Sequence, residues 1–180
     1  MTSTLDFPSF TKIWHKEIYP AIDPTQNTAL SFQGKKIVLS GGGTGIGEET
    51  VRQFAAAGAA HIAIFGRRIG KLEQTKERVE REYPQTKVSA FLADIADEAA
   101  VHHVAGDIKK EFGQGGWDVF VANAGHSPSM GKVTDSNVDE WFKTFEVTRR
   151  CRFLCNFVIG YLPKYLQNVS FSNGIKIGQC

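Results

Sequence analysis

The residues best suited to chemistry form a glycine-rich segment, 40–47, with the sequence Ser-Gly-Gly-Gly-Thr-Gly-Ile-Gly. The segment follows an apolar stretch and precedes one with helical periodicity, so it would join a strand to a helix. In such a loop Gly41 allows a tight turn, Gly45 lets the backbone approach a pyrophosphate, and Gly47 lets the helix pack near the strand. No Lys-Ser or Lys-Thr follows the glycines, which excludes a P-loop. We therefore predict a dinucleotide-binding loop, least tolerant of substitution at Gly45, rather than a merely flexible one.

A second candidate group, Arg67 and Arg68, follows the predicted second strand. In NAD-binding loops of this kind, a carboxylate about 20 residues beyond the glycines hydrogen-bonds the ribose hydroxyls. No Asp or Glu occurs between Arg52 and Gly70. Two guanidinium groups can instead grip a 2′-phosphate through charge-assisted hydrogen bonds. The sequence therefore favours NADP over NAD as cofactor, and the alternative is a pair of solvated loop arginines.

The elements that must position these residues alternate in type along the chain. Apolar or β-branched runs predict strands at 36–40, 61–65, 88–93 and 119–122, and amphipathic stretches between them predict helices. Parallel neighbouring strands need crossover connections, so this alternation predicts a parallel sheet with helices on both faces. We therefore expect a doubly wound α/β fold.

Residues 1–33 precede this regular pattern and form a predicted N-terminal extension, ahead of a nucleotide-binding domain at 34–180. The extension contains aromatic residues without clean periodicity, followed by Pro20 and Pro24, which break a helix. We interpret it as an apolar strip that covers one edge of the core. The alternatives are a contact in a homo-oligomer and a lid over the site.

Composition narrows the class of protein further. The 180 residues are 42% hydrophobic and 22% charged, and the formal net charge of +2 comes without a long basic stripe. We therefore expect a small-molecule partner and no nucleic acid. Three badly spaced cysteines, and adjacent His102 and His103 that point apart on a helix, predict no metal site. With neither a signal-peptide pattern nor an apolar span, a reduced cytoplasmic protein that does not enter the membrane is expected.

Taken together, the motifs resemble the short-chain dehydrogenase/reductase family, in particular fungal members with a similar N-terminal extension. The family's T-G-x3-G-x-G pattern matches 40–47 with Ser for Thr, its acidic residue after the third strand matches Asp94, and its N-N-A-G element matches 122–125 with Ala first. The resemblance implies a Rossmann fold and an NAD(P)-linked oxidoreductase acting on an alcohol or carbonyl. The predicted cofactor contacts are Ser40, Gly41, Gly43, Thr44, Gly45, Ile46, Gly47, Arg67, Arg68, Asp94, Ile95, Asn123, Ala124 and Gly125.

The catalytic Tyr/Lys pair of the family has no counterpart in this chain. The family uses Y-x3-K on a helix after the fifth strand, where the cation stabilises a tyrosine that exchanges a proton. The one Y-x3-K here, from Tyr83 to Lys87, is interrupted by Pro84 and enters the predicted third strand. Tyr161 and Lys164 are three residues apart and precede the fifth-strand position. We therefore expect Tyr83 to be structural.

Other positions that the resemblance makes catalytic are also altered. Thr148 stands where the family has Asn, and Ser172 is a weak candidate for the family's Ser, in an alternating stretch that would form the fifth strand. The sheet is expected to be truncated after about that strand. His126 follows the N-A-G element, where the family lines its substrate pocket, and is either a substrate contact or part of an ordinary polar loop.

Three functions are compatible with these residues. The first is an NADP-dependent short-chain oxidoreductase, of carbonyl reductase or alcohol dehydrogenase type. The second is a truncated, catalytically inactive NADP-binding module that lacks the Tyr/Lys pair. The third is an interaction protein whose uncovered sheet edge recruits other chains.

Overall fold

The computed structural model describes residues 15, 17–127 and 131–147. Strands and helices alternate along the chain as the sequence predicts. In order they are β1 (Lys36–Ser40), α1 (Gly45–Ala56), β2 (His61–Gly66), α2 (Ile69–Glu82), β3 (Lys87–Leu92), α3 (Glu98–Phe112) and β4 (Val119–Val121). Residues 138–147 are also helical.

The four described strands form one parallel sheet in the order β3-β2-β1-β4. On β1, Ile37 is in register with Ile62 of β2 on one side and with Val119 of β4 on the other. β3 begins at Lys87, whose N–H donates to the Ala60 carbonyl at 3.0 Å, so it starts one residue earlier than predicted. The predicted doubly wound parallel sheet is confirmed. The predicted fifth strand, around Ser172, lies outside the described residues.

Residues on β1 and β2 alternate between two hydrophobic clusters, one on each face of the sheet. Ile37 and Leu39 of β1 pack with residues of α1 and α2, whereas Val38 between them packs with residues of α3. All three side chains are at most 2% exposed. Strands buried on both faces are typical of parallel sheets, and this double burial explains their nearly continuous apolar sequence.

Tyr83 ends α2, which confirms the structural interpretation of its Y-x3-K sequence. Its N–H donates to the Val79 carbonyl at 2.7 Å, and its ring packs against the α1/α2 cluster. Lys87 is the first residue of β3. The two side chains therefore share no helical face.

The described part of the N-terminal extension packs at the end of α1 that is remote from the glycine loop. The Phe32 N–H donates to the Ala57 carbonyl at 2.8 Å, and the Phe32 ring lies 4.9 Å from that of Phe54. This packing accords with an apolar strip over the core for this stretch. Residues 1–14, which include most of the aromatics of the extension, lie outside the described residues.

Candidate functional site

A cleft of about 460 Å³ opens at the carboxyl ends of the strands. The chain runs outward from β1 through β2 to β3 and then crosses back to place β4 on the other side of β1. Open α/β sheets leave a ligand-binding crevice at such a reversal of strand order. All of the predicted cofactor contacts except Ser40 and Gly45 line this cleft, as does His126. Sequence reasoning missed Phe65, Gly66, Lys71, Leu72, Ala93, Ser127 and Val147, which also line it.

The glycine loop contains two residues with left-handed backbone, and at one glycine the first turn of α1 lies very close to the backbone of the loop. Gly41 and Gly45 have φ angles of +73° and +58°, a region that favours glycine. A Cβ on Gly47 would lie 2.0 Å from the Gly41 carbonyl oxygen, whereas a Cβ on Gly45 would have no neighbour within 4 Å. The strictest steric limit in the loop is therefore at Gly47 rather than at Gly45, because the first turn of α1 sits directly on the backbone that leaves β1.

Ser40 lies beneath the cleft rather than in its wall. Its side chain is fully buried, and its Oγ accepts hydrogen bonds from the backbone N–H groups of Asn123 and Ala124 at 3.1 and 3.0 Å. Asn123 Nδ2 donates in return to the carbonyls of Ser40 and Gly41, at 3.1 and 3.2 Å. These four bonds fix the loop after β4 against the start of the glycine loop.

The N-terminus of α1 faces the same cleft. Its N-cap residue, Thr44, makes no side-chain cap hydrogen bond, and its Oγ1 instead accepts from Arg68 Nη2 at 3.1 Å. The first N–H groups of a helix have no acceptor within the helix and carry the positive end of its dipole. The adjacent Ile46 is 81% exposed. A helix N-terminus beside an exposed apolar side chain suits a ligand with both phosphate and apolar groups.

Cations cluster where β2 leads into α2. Arg67 and Arg68 are exposed and line the cleft together with Lys71, whose Nζ donates to Gln74 Oε1 at 3.2 Å. Lys71 lies in the first turn of α2, and its position four residues after Arg67 in the sequence is the signal that could have identified it. The group Arg67, Arg68 and Lys71 gives this end of the cleft a positive charge.

Asp94 carries the only carboxylate among the described residues that line the cleft. Its Oδ1 accepts the Ala96 N–H at 2.9 Å, so the side chain also holds the turn between β3 and α3. The neighbouring Ile95 is 7% exposed and packs in the α3 cluster. The predicted contacts after β3 therefore lie beside the cationic end of the cleft.

The opposite end of the cleft, beyond β4, contains His126. Its Nε2 lies 3.0 Å from Glu140 Oε2, which belongs to helix 138–147. The hydrogen bond from His126, and then the charge of Lys143, lower the pKa of Glu140 below its ordinary value. Glu140 is therefore an ionised partner for the imidazole at neutral pH.

The remaining positions compared with the family's catalytic residues are not among the described residues. Thr148, Ser172, Tyr161 and Lys164 all lie outside the described residues. Within the described ranges, no helix is long and apolar enough to cross a membrane, and no three His, Cys, Asp or Glu side chains are grouped to hold a metal ion.

The family model of the short chain dehydrogenases matches residues 35–158. The chain belongs to the short chain dehydrogenase family. This match confirms the resemblance seen in the sequence, and it includes all of the strands, helices and cleft-lining residues described above. Members of the family bind NAD(P), so a nucleotide cofactor of this class is established at the level of the family.

Related proteins cover most of this chain. The short chain dehydrogenase tazN of Aspergillus terreus is 33% identical over 149 residues, which are 83% of this chain and 31% of that protein. The short chain dehydrogenase pigC of Monascus ruber is 32% identical over 160 residues, or 86% of this chain and 50% of that protein. The crystal structure of levodione reductase aligns with a TM-score of 0.65 at 26% identity, covering 72% of this chain and 49% of that chain.

This chain therefore spans from about a third to about a half of the length of these relatives. Their names describe dehydrogenases and a reductase, which supports an oxidoreductase and does not favour the inactive module. Among the described strands, β4 pairs only with β1. The interaction-protein hypothesis stays a prediction.

Proposed function

We propose that this chain provides the NADP(H)-binding half of a short-chain oxidoreductase that interconverts a small carbonyl compound and an alcohol. The observation that carries the proposal is the cleft, which has a close-packed glycine loop at its centre and Arg67 and Arg68 at one end. We also propose a cytoplasmic location, on the basis of the reduced cysteines expected from the sequence.

The residues of the cleft suit a dinucleotide bound in one orientation along the carboxyl ends of the strands. A pyrophosphate fits at the N-terminus of α1, since a Cβ on Gly45 would stand in open space there and glycine leaves that space free. The adenosine half would then lie toward β2 and β3, near Asp94 and Ile95. The other half would lie toward β4, near Asn123 and Gly125.

The preference for NADP rests on charge. A 2′-phosphate placed between Arg67 and Arg68 would accept charge-assisted hydrogen bonds, each contributing about 1.5–3 kcal/mol. Arg68 already donates to Thr44 at the edge of the loop, and this bond holds its guanidinium beside the phosphate-binding region. A carboxylate on β2, which would repel the phosphate, is missing from the sequence between 52 and 70.

The bound cofactor would supply a hydride, and the residues of this chain would bind it and orient its reactive half. Asn123, fixed by Ser40, holds the floor of the cleft on the β4 side. Ser172 remains the weak candidate for the family's Ser, and Thr148 stands at the position of the family's Asn. A proton donor near neutral pH is needed for carbonyl reduction, because hydride addition leaves an alkoxide.

Titration calorimetry of the full chain with NADPH and with NADH tests the proposal. Arg67→Ala should weaken NADPH about tenfold or more and leave NADH nearly unchanged. Arg81→Ala is the matched control, since Arg81 is an exposed arginine in the last turn of α2 and is not part of the cleft lining. Equal losses for both cofactors, or an equal loss in the control, would contradict the assignment.

A further inference from the structure

Strand β3 forms one edge of the sheet, because β2 is its only neighbour among the described strands. The Lys87 N–H donates to the Ala60 carbonyl at 3.0 Å, so the backbone groups of Lys87 point toward β2. Along a strand, the hydrogen-bonding groups of successive residues point alternately to its two sides. The N–H and C=O groups of Val88, Ala90 and Leu92 therefore point outward from the edge of the sheet.

The first of these outward N–H groups has an acceptor on α2. Glu80 Oε1 accepts the Val88 N–H at 2.8 Å, and Glu80 itself is half-buried. Within the described ranges, the N–H groups of Ala90 and Leu92 donate to no other residue. The Glu80 carboxylate therefore occupies the start of the β3 edge, whereas no described residue accepts from the two later donors.

The composition of β3 suits pairing with another strand. Residues 88–93, with the sequence Val-Ser-Ala-Phe-Leu-Ala, contain no charged residue, no Pro and no Gly. Uncharged segments of about six residues with high β propensity pair edge to edge when they are exposed. Leu92 is 64% exposed. The charged residues Lys87 and Asp94 flank the segment, as charges that oppose aggregation do in natural sequences.

The partner that this edge fits is the β3 strand of a second copy of the chain. In an antiparallel pair centred on Ala90, the outward residues of one copy face the outward residues of the other, with Val88 opposite Leu92. All of these side chains are apolar, so no like charges meet across the pair. To complete this ladder, the second strand must displace the Glu80 carboxylate from the Val88 N–H, which costs a charged group its hydrogen bond.

We propose that Glu80 guards the β3 edge against pairing with a second copy of this chain. Its carboxylate holds the first outward donor, and a ladder that lacks this position has lost one of its three outward residues. Glu80, Val88 and Ala90 are not part of the cleft lining. The proposal therefore does not depend on the function proposed above.

The test is the association state of the full chain, measured by light scattering after size-exclusion chromatography at several chain concentrations. Glu80→Ala should pair at a concentration about tenfold lower than the original chain needs, because the Val88 N–H becomes available to a second strand. Glu77→Ala is the matched control, since Glu77 is an exposed glutamate on the same helix. Association through any other surface is common to both variants and cancels in this comparison.

Two further measurements locate the pairing. Hydrogen exchange of the Ala90 and Leu92 amides should become slower when Glu80→Ala associates, which a contact elsewhere on the molecule would not cause. Addition of Leu92→Lys to Glu80→Ala should return the association to the original level, because a charged residue on an edge strand opposes pairing.

Glu80→Asp is a second variant, which keeps the charge and withdraws the carboxylate from the Val88 N–H by one methylene group. It should also pair more readily than the original chain, and it serves if Glu80→Ala does not fold. A folded Glu80 variant that associates no more than Glu77→Ala, or that associates without slower exchange at Ala90 and Leu92, would overturn the inference. Neither measurement uses a cofactor, so such a result leaves the proposed function intact.

Discussion

Ser40 and Asn123 tie the carboxyl ends of β1 and β4 together by a reciprocal pair of hydrogen bonds. The Ser40 hydroxyl accepts the Asn123 N–H at 3.1 Å, and the Asn123 side-chain amide donates to the Ser40 carbonyl at 3.1 Å. Ser40 is fully buried, so water cannot replace these bonds. The two loops that frame the cleft are therefore held as one unit.

Removal of the Ser40 hydroxyl should destabilise this unit. In Ser40→Ala the Ala124 N–H loses its acceptor, whereas the Asn123 N–H keeps the Val121 carbonyl at 3.0 Å. An unsatisfied buried donor costs about 1–3 kcal/mol. Urea unfolding should show that loss of stability, and NADPH affinity should fall as well. Ser136→Ala, at an exposed serine, should change stability by less than about 0.5 kcal/mol. An unchanged unfolding free energy in Ser40→Ala would show that the bonds do not hold the loops.

Gly47 should be the position in the loop that tolerates a methyl group least. In Gly47→Ala the new Cβ would meet the Gly41 carbonyl oxygen at 2.0 Å, so the loop or α1 must shift. NADPH affinity should fall tenfold or more, on the order of 1.4 kcal/mol. Gly70→Ala is the control, because a Cβ there would have no neighbour within 4 Å and alanine favours a helix. Normal NADPH affinity in Gly47→Ala would place the cofactor elsewhere.

The fold was predictable from the sequence because hydrophobic periodicity and glycine spacing are local signals. Strand β1 and the glycine loop lie where the pattern placed them, and Tyr83 ends a helix as its apolar spacing indicated. The site was predictable only where a motif marks it. The steric limit at Gly47 depends on how closely α1 approaches the preceding backbone, which is a tertiary distance. The contact of His126 with Glu140 joins residues that are 14 apart in the sequence, and no sequence pattern predicts it.

Lys71 should contribute to NADPH affinity less than the arginines do. It is an exposed point charge at the cationic end of the cleft, and such contacts contribute about 0.2–1 kcal/mol. Lys71→Gln should therefore weaken NADPH by up to about fivefold at low salt, and the effect should shrink as salt is added. Lys110→Gln, on α3, should have no such effect. A salt-independent loss would argue against a phosphate contact.

His61, at the opposite end of the sheet from the cleft, should make stability depend on pH. Burial, followed by the charge of Lys87, lowers its pKa from the ordinary value of 6.5. The unfolded chain therefore takes up a proton more readily, so the stability present above about pH 6.5 is lost as the pH falls below that value.

Urea unfolding at about pH 7.5 and pH 5.5 measures this loss. The fall in unfolding free energy between the two values should be smaller in His61→Gln than in the original chain, whereas exposed His103→Gln should match the original. The comparison uses the pH dependence, so a uniform destabilisation by the substitution does not affect it. An equal fall in His61→Gln would exclude His61 as the source.

NADPH is proposed to lie across the carboxyl ends of β1, β2 and β4, and hydrogen exchange read by mass spectrometry tests this placement most directly. Bound NADPH should slow exchange of the backbone amides at 41–48, at 66–71 and at 122–127, because these segments line the cleft. Exchange of the amides at 83–87 should not change, because this segment lies at the amino ends of the strands, away from the cleft. NADPH that binds without protecting the amides at 41–48 would contradict the account.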